Sequence, residues 1–115
     1  MAAPYRERDL NVLRRQVNDW GRTVAMFVSG YEFGLDDYLN DLSVRVDIAD
    51  TVRRLDTIPS ELTERLASFD ERLARASRRT LCPLWPNFTD EAWNNSLPSN
   101  ADPDLINDAS SRGIL

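Results

Sequence analysis

Six consecutive residues, Asp36-Asp37-Tyr38-Leu39-Asn40-Asp41, hold the densest group of carboxylates in the chain. On a helix, Asp37 and Asp41 stand one turn apart, near enough to share a hard cation such as Mg²⁺ or Mn²⁺. Little else in the sequence supports such chemistry. There is no histidine, which removes the most frequent general base and the commonest metal ligand. A single cysteine, Cys82, rules out both an internal disulfide and a Cys/His zinc site within one chain. Acids early in a helix are also explained without a ligand, because they complement the positive end of its dipole. Arg53 and Arg54 sit where the same helix should end, and they complement the other pole. No catalytic residue, metal or other cofactor is assigned, and the chain reads as non-enzymatic.

The acidic run superficially resembles the aspartate-rich helix motif of prenyl-diphosphate enzymes, but those need a much longer chain and a second metal motif, absent here. Cys82-Pro83 matches a short element through which some regulatory proteins hold haem by an axial thiolate. Two residues carry little weight, and a small apolar residue beside a helix-stopping proline accounts for them. Asn87-Phe88-Thr89 and Asn94-Asn95-Ser96 fit the N-glycosylation pattern but, with no secretory signal, read as accidental.

Aromatic residues offer a different chemistry, that of protein recognition. Leu84-Trp85-Pro86-Asn87-Phe88 and the following Trp93 could anchor an interface or cover the end of a helical bundle. Tyr31, Phe33 and Tyr38 cluster at a turn, where they are expected to complete the core. The expected partner-binding residues are therefore Asp36, Asp37, Asp41, Trp85, Phe88 and Trp93. The partner is expected to be another protein, with self-association as an alternative.

Charge supports that choice. The net charge is −5, carried as +2 over residues 1–29, −4 over 30–58, +1 over 59–80 and −4 over 81–115. A nucleic-acid binder more often shows a net basic face, since phosphate neutralisation supplies most non-specific affinity. No apolar run approaches the roughly 20 residues needed to cross a bilayer, so a cytoplasmic location is the default.

The elements that must position these residues are helical. Leu10, Leu13, Val17, Trp20, Val24, Phe27 and Tyr31 recur at steps of three and four, the period of one helix face. This helix should begin near Asp9, with Gly21 as a weak point inside it. Gly30 and Gly34 favour a hairpin over a kinked continuous helix. A second helix is expected over about residues 36–56 on Leu35, Leu39, Leu42, Val46, Ala49 and Val52. A third should start at Pro59 on Leu62, Leu66, Phe69, Leu73 and Ala76, with Arg78 and Arg79 closing it before Pro83. Beyond residue 81 lie four of the six prolines and much apolar mass. Thr89 should cap a short helix through Trp93, and Asp102-Pro103 should start another that ends near Gly113. The expectation is one all-α domain over residues 1–115: a three-helix bundle, a hairpin plus a third helix, with a C-terminal segment of short helices packed across it.

Overall fold

In the computed structural model, which describes residues 4–115 and side chains from residue 7 onward, three long helices form the frame. They are α1 (Pro4–Ser29), α2 (Leu35–Arg53) and α3 (Ser60–Arg75). The three-and-four series of α1 is its buried face: Leu13, Val17, Trp20, Val24 and Phe27, continued by Tyr31, are all enclosed. α1 ends at Gly30, whose φ of 119° is open to glycine and strained for other residues. The chain reverses there, so α1 and α2 form a hairpin.

Gly21 does not interrupt α1. It is where the Phe69 ring of α3 packs onto α1, since a Cβ at this position would fall 2.6 Å from Cζ of Phe69. The missing side chain makes room for a ring, and that packing offsets the helix-propensity cost of about 1 kcal/mol.

α2 is rotated relative to its apolar pattern. Its enclosed face is Leu35, Tyr38, Leu42, Arg45, Ile48 and Thr51, while Leu39, Val46, Ala49 and Val52 lie half-buried on the flank. The inward arginine is satisfied by Asp70 of α3. Arg45 Nε and Nη2 donate to Asp70 Oδ1 and Oδ2 at 3.0 and 2.9 Å, and Trp20 Nε1 of α1 donates to Oδ1 at 2.9 Å. One carboxylate therefore ties all three helices together. The Arg45 guanidinium also lies 5.1 Å from the centre of the Trp93 ring, within cation–π range.

The all-α expectation needs correction. α3 stops at Arg75, and Arg78 and Arg79 belong to a strand, β1 (Ser77–Arg79), paired antiparallel with β2 (Ser96–Pro98). Ser77 faces Pro98, Arg78 faces Leu97 and Arg79 faces Ser96. Strands of three residues are too short to show alternation, and their partner lies some twenty residues away, so no local pattern announces them. The short helix expected from Thr89 is a 3-10 turn, Ala92–Asn95, and Thr89 instead accepts a hydrogen bond from Asn95 at 3.0 Å. α4 (Pro103–Ser111) follows its sequence signals, with Asp102 Oδ1 accepting from the Asp104 amide at 2.8 Å and Gly113 just beyond the end. The tail packs against α2 and α3, and its Trp93, Leu97, Leu105 and Ala109 join the same apolar core as the helices. No helix among the described residues is long and apolar enough to cross a membrane.

Candidate interaction surface

The acids at the start of α2 do not converge. Asp37 Oδ2 accepts from the Gly34 amide at 3.3 Å, closing the helix N-terminus. Asp41 Oδ2 accepts the Tyr31 hydroxyl at 2.7 Å, and Asp36 Oδ1 accepts from Arg112 Nη1 at 3.1 Å. Among the described residues, no three Asp, Glu, Cys or His side chains are grouped as a metal site would require. Burial, followed by the Asp41 hydrogen bond and charge, pushes the Tyr31 phenol far above the ordinary tyrosine range. Hydrogen bonding to Asp36 and the charge of Asp108 raise the Arg112 guanidinium in the same direction.

What gathers at this end of the molecule is a larger acidic surface, joined through the backbone. Tyr31 and Ala101 form a parallel bridge: the Tyr31 amide donates to Asn100 O, and the Asp102 amide donates to Tyr31 O, each at 2.9 Å. The bridge sets the α4 segment beside the α1–α2 turn. Residues 30–41 contain Glu32, Asp36, Asp37 and Asp41 and no cation; residues 100–112 contain Asp102, Asp104, Asp108 and one cation, Arg112. Six net negative charges thus meet at one pole, against −5 for the whole chain. The rest of the protein is close to neutral.

Phe33 stands in this surface. Tyr31 and Tyr38 complete the core as expected, but Phe33 is 55% exposed and rests edge-on against Tyr31, with ring centres 5.5 Å apart. A large apolar side chain projecting from a charged rim is the usual makeup of an interface anchor. Beside it, a recess of about 320 Å³ is lined by residues 29–32 and 100–102, with Glu32 and Asp102 as its acids.

The tail aromatics lie elsewhere. Trp93 is in the core, where its ring covers Arg45. Phe88 is half-buried, 5.3 Å from the Arg53 guanidinium and 5.4 Å from Trp93. The distance along α2 from Asp36 to Arg53 is about 26 Å at helical rise. Asp36 and Asp37 therefore lie far from Phe88, and Trp93, enclosed in the core, presents no surface to share with Asp41. Asn94, wholly buried, clasps the aromatic loop: its Oδ1 accepts from the Trp85 amide, and its Nδ2 donates to Trp85 O and Phe88 O, at 2.7, 2.7 and 2.8 Å. An amide nitrogen so used is closed to glycosylation, whereas Cys82 is exposed. Comparison with protein-family models, characterised proteins and solved structures finds no match.

Proposed function

We propose that the protein is a non-enzymatic binding module, of the kind that serves as a small inhibitor, immunity protein or adaptor, and that its acidic pole docks on a basic surface of another protein. The observation that carries this reading is the exposed Phe33 set among six net negative charges. Phe33 would fill an apolar pocket on the partner, and the recess between Glu32 and Asp102 suits a lysine or arginine side chain. The carboxylate-dependent Mg/Mn enzyme finds less support, because Asp37 and Asp41 are turned to separate protein partners. The test compares proteins captured at low salt by the wild-type chain, by Phe33→Ala and by Asp36→Asn/Asp37→Asn. A partner retained by the first, lost from both variants and released by salt is the expected result. Equal capture by all three would overturn it.

A further inference from the structure

A second surface, with the opposite charge, lies on β1. The register fixes which backbone groups are occupied. Arg78 and Leu97 are directly opposed, and the flanking bonds run from the Thr80 amide to Asn95 O and from the Ser99 amide to Ala76 O, both 2.9 Å. In an antiparallel ladder the paired residues alternate, so the N–H and C=O groups of Ser77 and Arg79 point away from β2. Among the described residues no backbone partner meets them. Beyond β1, the Leu81 amide is taken by Ile114 O at 2.7 Å, so the unoccupied stretch of this edge ends there.

The side chains around this edge carry a matching signal. Among the described residues, Arg72, Arg78 and Arg79 form no ion pair, unlike Arg75, which bonds Glu71 at 2.7 Å. A cleft of about 340 Å³ opens against the strand, lined by Ser77, Arg79, Thr89, Asp90, Asn95 and Ser96 among others. Arginines on an open edge have a protective reading, since charge discourages edge-to-edge pairing with neutral strands. The same charges favour a strand that brings carboxylates.

We propose that the free edge of β1 binds an acidic extended peptide by strand addition, with the backbone of Ser77 and Arg79 pairing to it and Arg79, on the face of the cleft, meeting a carboxylate. One side chain of the peptide enters the cleft, where Asp90 opposes a second acid. This surface is separate from the acidic pole, so the proposal stands whether or not Phe33 docks on anything.

The test uses the full chain and a capped five-residue peptide, Thr-Glu-Val-Glu-Thr, followed by amide NMR and amide exchange. The Ser77 and Arg79 amides should shift and gain protection while the already paired Arg78 amide changes little. Arg79→Glu should weaken binding by about tenfold or more, equivalent to about 1.4 kcal/mol, and Arg78→Glu, on the opposite face, should weaken it less. Asp90→Asn should strengthen it, and alternate N-methylation of the peptide should abolish it. Circular dichroism reports whether each variant is folded. Equal binding of the Thr-Lys-Val-Lys-Thr peptide, or no change at Ser77 and Arg79 under millimolar peptide, would overturn the proposal.

Discussion

Asp70 of α3 grips Arg45 of α2 through two near-parallel hydrogen bonds of 3.0 and 2.9 Å in a largely enclosed setting. Because Asp70 also accepts from Trp20 at 2.9 Å, its loss would leave a buried cation and a buried indole N–H without an acceptor. Removing one partner of such a pair typically costs about 3–5 kcal/mol. Asp70→Leu and Arg45→Met should each lower the denaturation midpoint sharply, and Arg45→Met/Asp70→Leu should lose less than their sum. Urea titration of the three variants measures this. Strict additivity would mean that the two residues act independently.

Gly21 and Phe69 form a tighter steric pair. Gly21→Ala gains about 1 kcal/mol of helix propensity but drives a methyl group into the Phe69 ring, and overpacking costs about 1–3 kcal/mol. The melting temperature should fall. With Phe69→Leu in place the ring is gone, and Gly21→Ala should become neutral or stabilising. The same loss in both backgrounds would exclude the steric account.

Tyr31 and Tyr38 make the fold sensitive to alkali. Burial raises both phenols, and Asp41 raises Tyr31 further. Their contribution is complete below the unfolded tyrosine value of about 10 and is lost as the pH rises above it, since there the unfolded chain releases protons that the folded chain retains. Ultraviolet titration should show tyrosinate from these two residues appearing together with the loss of helix. Tyr31→Phe should cost about 1 kcal/mol at neutral pH through the lost bond to Asp41.

Asn94 should prove as important to the tail as Asp70 is to the helices. Asn94→Ala strands the Trp85 amide and carbonyl, at about 1–3 kcal/mol for each group left buried and unpaired, and leaves the Phe88 carbonyl with the Glu91 amide alone, at 3.3 Å. Tryptophan fluorescence should shift before the helices melt. A cooperative transition unchanged from wild type would show that the clasp is dispensable.

Features with a period were readable from the residues alone, and features made by distant contacts were not. The series from Leu13 to Tyr31 announced α1 because a helix repeats every 3.6 residues. Arg45 and Asp70 also occupy inward positions, Arg45 among Tyr38, Leu42 and Ile48, Asp70 among Leu66 and Leu73, but charge hid them from an apolar count. Of the expected α2 face, Leu35 and Leu42 are enclosed, whereas Leu39, Val46, Ala49 and Val52 lie on the flank. Phe33 was expected inside because residue type predicts burial on average and says nothing about direction. Half of the acidic pole was visible in Asp36, Asp37 and Asp41. Asp102, Asp104 and Asp108 join it through distant contacts, the Tyr31–Ala101 bridge seventy residues apart in sequence and the Arg112–Asp36 bond.

That bridge also sets an order of events. Ribosomes release chains from the N-terminus, so α1 and α2 emerge long before residues 100–112 exist. The complete pole, with its recess between Glu32 and Asp102, forms only after residue 112 has been made. A product terminated before residue 100 would lack it, and a partner that reads this surface would thereby discriminate against such fragments.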